Sequence, residues 1–218
     1  MQRNSTLWIH GIPGCGKTIL SSTLIEDLTT TLPSSTLLYF YFDFSDSHKQ
    51  TLNNMIRSLI SQLYHKREDT WKFVDLLYSS CEDGRRQPRC ESLCQVFLRM
   101  IDSLDSVHIV LDALDECSTR AGSHSEGLLS WMEDLIGLKQ RNINLLVTSR
   151  PEQDIQSKLN DIISAENVIP LESALVTGDI NAYIHAQVRK NDGLKRWRQQ
   201  PDIQAEIEGV LMQKANGM

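Results

Sequence analysis

The residues Gly11-Ile12-Pro13-Gly14-Cys15-Gly16-Lys17-Thr18 place two glycines five positions apart and follow the second with a lysine and a hydroxyl. This set suits phosphate. Phosphate oxygens need several donors converging at short range, and glycines let a loop turn tightly enough to aim its backbone N–H groups inward. A helix opening at Lys17 adds the positive end of its dipole. Lys17 would bridge the β- and γ-phosphates of a nucleotide, and the Thr18 hydroxyl would ligate Mg²⁺. Ile19 closes the expected binding segment, which comprises Gly11, Ile12, Pro13, Gly14, Cys15, Gly16, Lys17, Thr18 and Ile19.

A second set is Val107-His108-Ile109-Val110-Leu111-Asp112-Ala113-Leu114-Asp115-Glu116. An apolar strand ending in a carboxylate is the arrangement that holds the Mg²⁺ shell in P-loop proteins, here through Asp112. Asp115 and Glu116 lie just past that strand end, where an attacking water could be oriented. A third set, Leu145-Leu146-Val147-Thr148-Ser149-Arg150, again delivers a polar group at a strand end. Arg150 could sense the γ-phosphate and steady the charge that builds up in phosphoryl transfer. Glu116, Asp115 and Arg150 are thus the catalytic candidates, and Thr18 and Asp112 the metal candidates.

Elements must position these groups, and the pattern supplies them. Apolar runs alternate with helical periods, as in a parallel α/β sheet. Strands are expected at 7–9, 36–42, 107–111, 143–147 and 168–171, with 36–42 buried on both faces. Helical stripes follow Ile19 to Leu28, Leu52 to Leu63, Leu93 to Leu104 and Leu128 to Ile136. Asp46 or Ser47 is expected to cap the second of these. Breaks or loops are expected at 33–35, 82–89 and 118–125, and 65–89 shows little periodicity. From Gly178 onward the pattern is helical only. In open parallel sheets ligands sit at the carboxyl ends of the strands. Lys17, Asp112 and Arg150 each lie at or just after such an end, so three strand ends point to one site.

The expected fold is therefore an α/β P-loop NTPase: a mostly parallel five-stranded sheet flanked by helices, followed by the start of a small helical domain. The boundary is drawn as 1–174 for the core and 175–218 for the helical segment, which is expected to be truncated at its C-terminus.

The 218 residues suffice for one sizeable core. A formal charge of −6 gives no basic surface for nucleic acid. No apolar run approaches the roughly 18 residues of a membrane span, and no signal-peptide core is present. The five cysteines (Cys15, Cys81, Cys90, Cys94 and Cys117) form no C-x-x-C pair and read as free thiols in a reducing compartment. A cytoplasmic location is the expectation. Trp8, Trp71, Trp131 and Trp197 are read as packing or partly exposed contacts rather than a base-stacking platform, and His10 and His108 as structural.

These motifs together resemble the NACHT domain of the STAND signalling NTPases, above all the large fungal type. The resemblance is carried by Gly11 to Thr18, by Leu111-Asp112-Ala113-Leu114-Asp115-Glu116-Cys117 with its small Ala113, and by Thr148-Ser149-Arg150-Pro151. Gly178-Asp179-Ile180-Asn181-Ala182-Tyr183-Ile184 resembles the family's entry into its helical domain, and Lys214-Ala215-Asn216-Gly217-Met218 its next landmark. The resemblance implies a switch that is closed and monomeric with ADP or GDP and self-associates on exchange for ATP or GTP with Mg²⁺. It implies weak hydrolysis and a role in innate-immunity-like non-self recognition or programmed cell death. It also implies effector, winged-helix and repeat domains, often ankyrin or WD, that this chain lacks. The chain would be a fragment or a natural truncation. Two other readings remain open: a P-loop kinase or other phosphotransferase acting on a small molecule, and an interaction scaffold with a decayed site.

Overall fold

A computed structural model describes residues 5–32, 35–122, 126–137, 143–171 and 173–215. Parts of the expected breaks at 33–35 and 118–125, position 172 near the expected boundary, and the landmark residues 216–218 lie outside the described residues. The strands are β1 (Ser5–Gly11), β2 (Thr36–Tyr41), β3 (Val107–Asp112), β4 (Ile143–Ser149) and β5 (Val168–Leu171). They form one sheet in the order β2-β3-β4-β1-β5, and the pairings β1–β4, β2–β3 and β3–β4 are parallel. The helices are α1 (Lys17–Thr31), α2 (Leu52–Lys66), α3 (Trp71–Ser80), α4 (Cys90–Asp102), α5 (Leu128–Gly137), α6 (Gln153–Ile162), α7 (Ser173–Lys190) and α8 (Pro201–Ala215). The expected P-loop α/β architecture is observed, with two helices, α3 and α6, beyond those the periodicity marks out.

The core forms where the stripes meet the sheet. On α2 the positions Leu52, Met55, Ile56, Leu59, Ile60 and Leu63 recur every three or four residues and are all buried. On α4 the buried set is Leu93, Cys94, Val96, Phe97, Met100 and Ile101. Both helices join β-strand residues Leu38, Ile109, Leu111, Leu145 and Val147 in one apolar cluster. Removing such a packed side chain typically costs about 2–5 kcal/mol, so these stripes hold the strand ends in register. Thr51, rather than Asp46 or Ser47, caps α2 by accepting from Asn54 N–H. Asp46 instead caps the short 3₁₀ turn Ser47–Lys49.

β2 differs from the expectation of burial on both faces. It is an edge strand, and Tyr39 is exposed. An open edge invites pairing with another chain. Here α2 covers it with side chains: the Gln62 amide donates to Tyr39 O at 2.8 Å and accepts from Tyr39 N–H at 3.1 Å, and Lys66 donates to Leu37 O.

The chain divides into two compact units, Met1–His10 with Gly16–Ile169, and Gly11–Cys15 with Pro170–Met218. In the second unit α7 packs on α8, Ile184, Val188 and Gln204 are buried, and Arg189 pairs with Glu208 at 3.2 Å. Among the described residues no helix is long and apolar enough to cross a membrane.

Candidate functional site

The loop between β1 and α1 has the backbone its glycines allow. Gly14 has φ +77° and Gly16 φ +86°, the left-handed region that other residues enter at a cost. Gly16 is also the N-cap of α1, and no side chain caps that end. A fifteen-residue helix therefore opens directly from this glycine loop, and the positive end of a helix dipole is a local setting for anion binding. A Cβ at Gly11 would lie 2.7 Å from Cys15 Sγ and 3.1 Å from Leu171 Cβ, so no larger residue fits there. Cys15 is buried, Ile12 is exposed, and Ile19 is exposed on the first turn of α1.

The register of the sheet brings the other groups together. Leu111 pairs with Val147, which sets Asp112 and Thr148 side by side at the carboxyl ends of β3 and β4. The Asp112 carboxylate is 1% exposed. Thr18 Oγ1 donates to its Oδ2 at 2.7 Å, and Ser21 Oγ and Thr148 Oγ1 donate to its Oδ1 at 2.6 and 2.7 Å. The phenol of Tyr41, opposite Asp112 in the ladder, is held above its ordinary pKa by burial, then by the Asp112 charge and by Tyr39. Thr18 and Asp112 present hard oxygen donors in contact, the donor type Mg²⁺ requires. The residues present fit that ion.

After Asp112 the chain turns sharply. Ala113 sits at φ 59°, ψ 52°, left-handed without being glycine. The small residue that marks this motif thus has a physical reason: a bulkier or β-branched side chain there would add strain. The turn leads into the 3₁₀ segment Leu114–Glu116, where Leu114 is fully buried and anchors it.

The acidic pair then divides. Asp115, whose side chain is 4% exposed, directs both oxygens at Arg150: Oδ1 accepts Arg150 N–H at 2.9 Å, and Oδ2 meets Nε at 3.1 Å. Glu116 Oε2 accepts Phe44 N–H at 2.9 Å and so ties the segment after β2 to the acidic turn. These groups line a cleft of about 480 Å³ with Phe44, Arg120, Glu152 and Asp154.

Some contributors carry no motif signal. Arg120 donates to the Asp115 carbonyl and bridges Glu152 at 2.7 Å and Asp154 at 3.1 Å, locking the start of α6 to the acidic turn. Ser21 lies one turn after Thr18, a spacing that puts both hydroxyls on one helix face. Trp8, buried in the core, donates its indole N–H to Ser149 Oγ at 2.9 Å and packs at a tilt against the His10 ring. Burial raises the Cys117 thiol above its ordinary pKa, and burial with the neighbouring Cys90 pushes Cys94 up to about 12.

Three comparisons bear on this arrangement. The family described as Nephrocystin 3, N-terminal, matches residues 1–150. The vegetative incompatibility protein HET-E-1 of Podospora anserina is 25% identical over 221 residues, covering 97% of this chain; the chain spans 15% of that protein's length. The crystal structure of Cdc6p from Pyrobaculum aerophilum shares the fold with a TM-score of 0.51 and 15% identity, over 80% of this chain and 41% of that one. The match to residues 1–150 covers the glycine loop, the β3 carboxylate and the acidic turn alike, and this chain belongs to the Nephrocystin 3, N-terminal family as a NACHT-type, STAND-class P-loop domain.

Proposed function

We propose that this chain is a nucleotide-dependent molecular switch that binds ATP or GTP with Mg²⁺, hydrolyses it slowly and rests with ADP or GDP. The observation that carries this reading is the 2.7 Å contact between Thr18 and Asp112, which joins the head of α1 to the end of β3. In this reading the amides of Gly11 to Thr18 and the Lys17 ammonium bind the phosphates. Thr18 and Asp112 would hold Mg²⁺, which when bound neutralises phosphate charge. Glu116 orients the attacking water. Asp115 acts through Arg150, which it aims at the γ-phosphate.

The reading keeps residues 1–174 as the nucleotide-binding core and 175–218 as the beginning of a helical domain. The likeness to a vegetative incompatibility protein supports a place in a larger cytoplasmic fungal receptor for non-self recognition or cell death. There the module would govern self-association, with effector and repeat domains supplied by the rest of that protein.

Mass spectrometry of nucleotide released from the purified protein tests the reading and reports base and phosphate state together. Bound ADP, ATP, GDP or GTP supports it. A protein that carries no nucleotide and takes up neither Mg-ATP nor Mg-GTP sinks it. Hydrolysis unchanged by added small-molecule acceptors separates the switch from a phosphotransferase.

Arg150 makes a sharper test. A residue that meets only the γ-phosphate interacts differently with tri- and diphosphate. Arg150→Ala is expected to weaken triphosphate binding by about tenfold, the size of one charge-assisted contact, and to leave diphosphate binding nearly unchanged. Asp115→Asn keeps the shape but weakens the hold on Nε, so it should reproduce part of that selective loss. Calorimetry with both nucleotides decides; equal losses in the two would remove Arg150 from γ-phosphate sensing.

A further inference from the structure

The Asp112 carboxylate accepts from three hydroxyls, and its partners are asymmetric. Oδ1 accepts from both Ser21 Oγ and Thr148 Oγ1, whereas Thr18 Oγ1 addresses Oδ2. Ser21 and Thr148 are fully buried. Shielded from bulk solvent, both hydroxyls find their acceptor in Asp112. Thr148 Oγ1 also accepts the Ala113 N–H at 3.0 Å. One hydroxyl therefore orients the carboxylate and fixes the left-handed residue that follows it.

We propose that Ser21 and Thr148 are positioning residues that make Asp112 a one-oxygen group toward the metal and thereby select Mg²⁺ over Ca²⁺. The inference rests on the reading that Thr18 and Asp112 face a divalent ion. A carboxylate oxygen has two lone-pair sites, and two donors on Oδ1 consume them. Only Oδ2, on the Thr18 side, remains to face a cation or its water. Ca²⁺ accepts carboxylates in bidentate fashion at long distances, while Mg²⁺ demands compact octahedral geometry and keeps its waters. Occupying Oδ1 removes the bidentate mode and disfavours the larger ion. Because Thr148 also holds Ala113, the metal-facing carboxylate and the Asp115–Glu116 turn are anchored by the same group. Neither hydroxyl touches nucleotide or metal in this scheme; both act through Asp112.

The test compares wild type with Ser21→Ala, Thr148→Val and Thr148→Ser. Affinity for a non-hydrolysable triphosphate is measured by calorimetry in EDTA, in Mg²⁺ and in Ca²⁺. Ser21→Ala and Thr148→Val are expected to cut the gain from Mg²⁺ by about tenfold, the usual cost of losing a group that orients a metal ligand. Affinity in EDTA should stay unchanged, and the Mg²⁺-to-Ca²⁺ preference should narrow. Thr148→Ser keeps the hydroxyl and should retain the wild-type preference. In an Asp112→Asn background, Ser21→Ala should cost nothing further. Ser21→Ala orphans no backbone group, so it carries the test if Thr148→Val unfolds. Equal losses in EDTA and in Mg²⁺, or an unchanged preference in Ser21→Ala, overturn the proposal. If Asp112→Asn itself leaves the Mg²⁺ gain intact, the metal reading fails; if it abolishes the gain while the hydroxyl variants do nothing, only this inference fails.

Discussion

Glu116→Gln is expected to slow hydrolysis by about 10²-fold or more while leaving triphosphate binding intact, so that triphosphate accumulates on the protein. The amide keeps the size of the side chain and loses the basicity that orients and deprotonates water. The substitution is chosen for its effect on the fold as much as on the chemistry. Glu116 Oε2 accepts the Phe44 N–H, and an amide oxygen can accept the same bond. The segment after β2 therefore stays in place, which alanine would not ensure. Single-turnover hydrolysis, with the bound nucleotide identified after purification, gives the answer. Unchanged turnover would take Glu116 out of the reaction. The contrast with Asp115 is part of the prediction, because Asp115 is engaged at both oxygens by Arg150 and its loss should show first in nucleotide preference.

Lys17→Ala is expected to lower triphosphate affinity by tenfold or more, in line with losing a charge-assisted contact worth about 1.5–3 kcal/mol. The loop amides and the α1 N-terminus remain, so binding should weaken without vanishing. His10 supplies an internal reporter. Burial, and after it the Lys17 ammonium, hold its imidazole below the ordinary histidine value. Removing the ammonium takes away the second cause and leaves the first. The His10 pKa should therefore rise in Lys17→Ala and still stay below the ordinary value. In the wild type, a bound triphosphate should move it in the same upward direction, because negative charge near Lys17 favours the protonated ring. Calorimetry reads the affinity and NMR titration reads the imidazole. Unchanged affinity would remove Lys17 from the phosphate site, and an unmoved His10 would show that the ammonium points elsewhere.

Local pattern alone determined the glycine loop, the carboxylate ending β3, the Arg150 strand exit and the stripes of α2 and α4. Each is written in consecutive residues or in a three-to-four spacing, and backbone geometry converts such spacing directly into a face. The same rule explains the omissions. On α6 only Ile155 and Leu159 are buried, too sparse a stripe to stand out from its polar neighbours. On α3 no residue is fully buried, although its apolar residues pack against the core cluster. The exposed face of β2 follows from its place at the edge of the sheet, which strand order decides and composition does not.

The division of labour among the polar groups was decided by tertiary structure. Asp112 and Thr148 are 36 positions apart and meet because β3 and β4 pair in parallel with Leu111 opposite Val147. Asp115 and Glu116 are neighbours with the same chemistry in sequence, yet one faces Arg150 and the other Phe44. Their separation comes from the 3₁₀ turn Leu114–Glu116, whose roughly three residues per turn send neighbouring side chains in different directions. Arg120 joins Asp115 to Glu152 and Asp154 across the cleft, with no spacing in the chain to announce it. Motif residues are legible because short stretches of backbone place them; their partners are not, because those contacts depend on which strands lie side by side and in what register.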